Sequence, residues 1–285
     1  MLRRYITEQP TSQLAVWARR TALFSLVATI LAIIIVRSGL LEFRPALATF
    51  AGALALSVIA LLLAFAAFVV IWNDGLLGIG YALIAIAISA ALLVYPAYLG
   101  IKAYRLPWIY DITTDPIDPP RFEALARIRP RDANPIIYAG LSAAEQQRNA
   151  YPEIETLEAE ASAQAGYTAA LGVIRKRRWL IVLERPPQPR RDGQIEAVVR
   201  TPIMGFREDV VVRVRADGQG SRIDARSSSR YGPFDFGSNA ARIRNLIDDI
   251  DEVIGSQEPE RPVAPAPKKA KGPPAKANQQ PSRQR

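Results

Sequence analysis

Three stretches of this chain carry no charge at all, and they decide where its first third can live. Between Arg20 and Arg37 lie 16 uncharged residues, between Arg44 and Asp74 lie 29, and between Asp74 and Lys102 lie 27. A helix needs about 20 apolar residues to cross a hydrocarbon core of roughly 30 Å. The second and third stretches exceed that length. The first reaches it with Trp17 and Ala18 on one side and Leu40 and Leu41 on the other, while Arg20 and Arg37 snorkel toward water. The pattern predicts three transmembrane helices, at residues 17–36, 46–72 and 76–101. The alternative is two spans after a signal or interfacial segment. Arg19 and Arg20 precede a Thr-Ala-Leu-Phe run loosely similar to a twin-arginine start, but no small-x-small cleavage site follows before Arg37. Gly75, Gly78 and Gly80 beside Asn73 and Asp74 are expected to form a turn. No acidic or basic residue lies inside the three uncharged stretches, which favours an anchor over a proton relay or ion pathway.

Lys and Arg near the span ends set orientation. Arg3, Arg4, Arg19 and Arg20 fall on one side, and Arg37, Arg44, Lys102 and Arg105 on the other. That count is even. The densest cluster is N-terminal, which favours a cytoplasmic N-terminus and places residues from 106 onward outside, at a bacterial inner membrane.

The chain divides into a membrane anchor (1–105), a soluble unit (106–256) and a tail (257–285). The net charge of +9 belongs to the flanks. The anchor has eight basic and three acidic residues, the tail seven and two, and the soluble unit 21 and 22. A balanced central unit argues against nucleic-acid binding, which needs a basic footprint. The tail has seven Pro and only Val263 among branched aliphatics, so it is expected to be disordered. It serves either as a solubilising extension or as a contact for anionic lipid or another polyanion.

The chain has no Cys and no His. That excludes disulfides, Cys/His zinc sites and His-based nucleophilic catalysis. No cofactor and no metal site is expected, and no catalytic residue is assigned.

Within 106–256, residues 121–128 suggest a short helix after a Pro pair, and 129–150 a loop-rich stretch. A helix is predicted over 152–178. Pro152 suits its first turn, Glu153, Glu155, Glu158 and Glu160 its positive end, and Arg175, Lys176, Arg177 and Arg178 its negative end. Strands are predicted at 179–184, 194–201, 208–215 and 222–230, with residues 216–220 a hairpin turn. Ile195, Ala197, Val199, Val210, Val212, Val214, Ile223 and Ala225 alternate onto one face. Glu196, Arg200, Arg213, Arg215, Arg222, Asp224, Arg226 and Arg230 alternate onto the other, an Arg-rich sheet face. A final helix over 239–254 has one apolar stripe. The fold class is α+β: a three-helix transmembrane anchor, then an antiparallel sheet flanked by helices, then the tail.

The link between the last strand and the last helix carries the densest chemistry: Arg226, Ser227, Ser229, Arg230, Gly232, Asp235, Gly237, Asn239, Arg242 and Ile243. As structure, Gly232 and Gly237 take positive φ, Asp235, Ser238 or Asn239 caps the helix, and Arg230 and Arg242 reach Asp235. As a site, Arg226, Ser229, Arg230, Asp235, Asn239 and Arg242 form an anion pocket at the helix start. Both readings stand on sequence alone.

Those ten positions match the signature of the domain of unknown function 1499 family, which this stretch closely resembles. Upstream, Phe206 to Val214 is similar to the family's strand, with Glu208 in place of its first acid and Asp209 retained. Asp111 to Phe122 is similar to its opening segment. The resemblance covers residues 108–254. It implies an envelope- or organelle-type protein, often membrane-linked, and no established activity.

The expectation is an uncharacterised integral membrane protein, with a non-enzymatic module that binds an anionic ligand or an envelope protein beside the lipid bilayer. Two alternatives stand beside it. One is a carboxylate-dependent hydrolase using Asp209 and Asp235. The other is a cytosol-facing module with a polyanion-binding tail.

Overall fold

The computed structural model describes residues 9–39, 43–218 and 220–256. The tail (257–285), Arg3, Arg4, Leu40, Leu41 and Gln219 lie outside the described residues.

Three helices are long and apolar enough to cross a membrane: α1 (Gln13–Ser38), α2 (Phe43–Asp74) and α3 (Ile79–Arg105). Their polarity is the reverse of a soluble bundle. Small residues point inward: Ala15, Ala18, Ala22 and Ser25 on α1, Ser57, Ala60, Ala64 and Ala67 on α2, and Ala82, Ala85 and Ser89 on α3 are buried. Large apolar side chains such as Phe24, Ile34, Leu62, Phe65 and Val94 point outward. Small residues let backbones approach closely, which is how helices associate where no hydrophobic force separates them from their solvent. Ser25 adds a polar lock, donating to the Ala53 carbonyl at 2.9 Å and lying 2.5 Å from the Ser57 hydroxyl. At one end, Ser12 N–H donates to Leu77 O at 2.8 Å and Leu77 N–H to Pro10 O at 3.0 Å, tying the N-terminal segment to the α2–α3 turn. That turn, through Gly78 at φ 121°, delays α3 to Ile79, later than the expected 76. Arg19 lies 4.0 Å over the Tyr81 ring at the same end.

The rest of the described chain builds on β1 (Asp111–Thr113), α4 (Ala124–Ile128), α5 (Leu141–Ala150), β2 (Leu157–Ala159), α6 (Ala163–Lys176), β3 (Leu180–Arg185), β4 (Gly193–Arg200), β5 (Arg207–Asp217), β6 (Gly220–Ser229) and α7 (Ser238–Ser256). The sheet is antiparallel in the order β1-β6-β5-β4-β3, and β2 shares the outer edge of β6 with β1. The four expected strands and the last helix are all present. On the apolar face, α6 and α7 pack Val173, Ile174, Ile243, Leu246 and Ile250 onto Ile195, Val210, Val212 and Ile223.

Three expectations need correction. The helix predicted from 152 begins only at Ala163, where the Ser162 hydroxyl accepts the Ala165 N–H at 3.3 Å. Leu157 and Glu158 instead sit opposite Ile223 and Arg222. A free strand edge offers a full set of backbone partners, and pairing there overrides helical propensity. The stretch 129–150 contains α5, whose Gln147 exchanges side-chain bonds with the backbone of Thr113. Finally, the Arg-rich sheet face is not open. Phe122, Leu125 and Ile136 pack on Val198 and Val211 and roof it over.

Charges beneath that roof are paired or capped. Arg226 is bidentate to Asp111, at 2.9 and 2.6 Å, with both side chains 2% exposed. Glu196 accepts the N–H groups of Glu123, Ala124 and Leu125 and so caps α4 from across the sheet. Asp224 takes Arg213 and Arg215. The same two arginines reach Asp115 and Asp118.

Desolvation raises the Asp111 carboxyl above its ordinary pKa even with Arg226 beside it. The buried pair is therefore a matter of mutual need more than net stability. Arg226→Met should cost about 3–5 kcal/mol by stranding the Asp111 charge, and adding Asp111→Leu should recover most of that loss. Equal melting of the single and double variants would contradict the pairing. Asp115 behaves oppositely. Burial opposes its charge, but the Asp118 and Ile117 amides with Arg213 and Arg215 hold its pKa below the ordinary value. Its stabilisation is complete above the unfolded carboxylate range and is lost as pH falls through the folded value. Asp115→Asn should flatten that acid limb of the stability–pH curve and leave the neutral limb parallel to wild type.

Candidate functional site

β6 runs out of the sheet at Ser229 and the chain turns through residues 230–237 into α7. Gly232 at φ 83° and Gly237 at φ 74° make that turn. A Cβ on Gly237 would lie 2.9 Å from Leu106 Cδ1, and its φ of 74° strains any larger residue there. Asp235 accepts the Gly237 and Asn239 N–H groups, both at 2.8 Å, and caps α7 as expected. Burial pushes the Asp235 carboxyl above its ordinary value, against those two amides.

The residues assigned to an anion pocket face inward and are divided between the two sheet faces: Arg226 and Arg230 lie under the roof, and Ser229, Asp235, Asn239 and Arg242 lie on the α7 side. Arg226, Ser229, Arg230, Asp235 and Asn239 are buried. Asn239 is fully bonded: its carbonyl oxygen accepts Ser227 Oγ at 2.7 Å and Arg242 Nη1 at 2.6 Å, and its amide donates to Tyr110 O and Ser229 Oγ, both at 2.9 Å. Arg242 also reaches Glu208, which accepts from Ser229 and Ser238. The expected staple through Asp235 is therefore made by other acids. Arg230 pairs with Asp209 at 2.7 Å and Arg242 with Glu208. Strand parity is the reason: residues 226, 228 and 230 point to the roofed face, away from α7, whereas Asp235 lies at the α7 start. Asp209 also accepts Arg129 Nε at 2.9 Å, and desolvation holds the Arg129 pKa below its ordinary value. With Asp209 between two arginines and Asp235 on backbone amides, the two carboxylates considered for hydrolysis are both engaged. No group of three or more acidic residues suited to a metal ion occurs among the described residues.

This same turn meets the helix bundle. Phe43, at the start of α2, stacks on Tyr231 with ring centroids 4.8 Å apart and meets Phe206 edge-on at 5.0 Å. Trp108 stacks on Phe234 at 5.7 Å. Arg37, in the last turn of α1, donates to the carbonyls of Pro202 and Ile203 at 2.7 and 3.0 Å, and Arg200 donates to the Arg37 carbonyl at 3.2 Å. The last turn of α1 and the first residue of α2 thus hold the β4–β5 loop, and the signature turn sits beside them.

Next to that contact opens a cleft of about 530 Å³ at the junction of α6, β3 and β4. Five arginines line it (Arg177, Arg178, Arg200, Arg207 and Arg230), no acidic residue does, and Val182, Val198 and Val199 are among its apolar lining. Arg177 is bound to Asp249 at 2.6 Å and Arg230 to Asp209. Arg178, Arg200 and Arg207 form no ion pair among the described residues. Sequence reasoning assigned Arg178 to a basic run matching the helix dipole and did not single out Arg207. One signal could have found Arg178: it stands at a helix-to-strand junction where glycine is the usual residue.

A comparison of the chain with curated proteins finds no match. The family described as "Protein of unknown function (DUF1499)" matches residues 111–250, from β1 into α7. That span takes in the roofed charge layer, the signature turn and the arginine-lined cleft. Residues 111–250 of the chain are therefore a DUF1499 domain.

Proposed function

We propose that this chain is an integral membrane protein whose α+β domain is held down on the bilayer surface by its own helices and acts there as a non-enzymatic ligand- or partner-binding module. The observation that carries the reading is the seat itself. The ends of α1 and α3, the start of α2, the β4–β5 loop and the signature turn converge at one end of the bundle. Aromatic side chains cluster there: Tyr98, Tyr104, Trp108, Phe43 and Tyr231. Amphipathic rings favour the headgroup layer. Arg37, Lys102 and Arg105 lie at that same end.

The internal network of Arg226, Asp209 and Asn239 shapes the domain. The binding surface in this reading is the cleft beside the seat. The engagement of Asp209 by two arginines and of Asp235 by two backbone amides favours binding over chemistry. The N-terminal arginine cluster favours a cytoplasmic N-terminus in a bacterial inner membrane. After three spans the domain then lies in the periplasm.

The absence of cysteine makes the seat testable with a single engineered pair. A Cβ built on Gly205 lies 3.6 Å from Arg37 Cβ, within the range a disulfide spans. Arg37→Cys/Gly205→Cys should close a bridge under mild oxidation in intact membranes, seen as a shift on non-reducing gels. Failure to cross-link would remove the seat. For orientation, Ile117→Cys, 92% exposed at the far end of the domain, should react with a membrane-impermeant maleimide from the periplasmic side. Labelling only after the inner membrane is opened would reverse the topology.

A further inference from the structure

Arg178 holds a backbone conformation that arginine rarely adopts. α6 ends with the Arg178 N–H donating to Arg175 O at 2.9 Å and the Trp179 N–H to Ile174 O at 3.3 Å. This is the two-bond helix stop that normally places glycine in the left-handed region. Here Arg178 occupies it at φ 56°. Strain at a single residue is a pointer to use. Two neighbouring arginines have structural partners: Arg175 binds Glu184 at 2.8 Å and Arg177 binds Asp249. Arg178 forms no ion pair among the described residues, and neither does Arg207 across the cleft.

We propose that this cleft binds the phosphate of an anionic membrane phospholipid, with Arg178, Arg200 and Arg207 as the cationic ligands. The proposal rests on the membrane-surface reading above and names its ligand class. Three guanidinium groups without carboxylates match a phosphate in charge and in fork geometry. The apolar part of the site selects a lipid over a free phosphate. Leu180 is 67% exposed on the edge strand β3 and Ile128 is 54% exposed, and both line the cleft with Val182 and Val198. A soluble anion leaves that strip in water, whereas a lipid's glycerol and upper chain cover it. Position agrees, since Arg200 bonds to the Arg37 carbonyl at the end of α1 and so lies at headgroup level.

The test uses the full-length chain in nonionic detergent. Short-chain phosphatidylglycerol, phosphatidylcholine of the same chain length, and inorganic phosphate are titrated separately and in competition, with bound lipid read by native mass spectrometry. Phosphatidylglycerol should bind at least tenfold tighter than phosphatidylcholine, and inorganic phosphate should not displace it at equal concentration. Arg178→Gly, which removes the cation and relieves the backbone, should leave Tm unchanged or raised and weaken phosphatidylglycerol binding about tenfold. Arg178→Gly/Arg207→Gln should abolish the preference. Unchanged binding in the double variant, equal binding of the two lipids, or displacement by inorganic phosphate would each overturn the proposal. A formed Arg37→Cys/Gly205→Cys bridge alongside any of those results leaves the seat standing and removes only the lipid site. Loss of the bridge removes the membrane-surface reading first.

Discussion

A charge cannot be taken out of water without a partner, and that constraint organises the domain. The sheet face away from α6 and α7 carries Glu196, Asp209, Asp224 and Arg226, each at most 2% exposed. Each has dictated a neighbour. Arg226 requires Asp111, which pulls β1 onto the edge of β6. Glu196 requires donors and finds them at the start of α4. Asp209 gathers Arg129 and Arg230, fixing the roof to the end of β6. The segment between β1 and α5 has little regular structure of its own, and its path follows from these demands.

The same accounting singles out the unusual residues. In the interior, the arginines that reach the charge layer end on acids. Near the helix bundle, Arg178, Arg200 and Arg207 do not. Basic side chains without acidic partners, beside an apolar strip and an aromatic cluster, are what the proposed lipid site rests on. The bundle has the matching polarity, with small residues inward and large apolar ones outward.

The elements easiest to recognise from sequence were those set by local periodicity. The three apolar helices, the alternation of β4 to β6 and the stripe of α7 all repeat within a few residues, so a short window contains the whole signal. β2 failed for the opposite reason. Leu157 to Ala159 is only a strand because Ile223 is opposite, a residue far along the chain. The acids and helix breakers before Ala163 resembled a helix start more than a strand. The signature turn was recognised through its residues, and its caps and positive-φ glycines follow from local rules. Its ion pairs do not: Arg230 bonds Asp209 because of strand parity and register, which link β5 to β6.

Sequence alone determined which third of the chain is oily, which face of each strand is apolar, and where glycine and cap residues must stand. Those are properties of neighbours in the chain. Tertiary structure decided which acid each arginine meets, that the polar sheet face is roofed, and that Arg178 and Arg207 are left facing one cleft. Charge pairing depends on distances between segments far apart in sequence, and only the folded arrangement sets those distances.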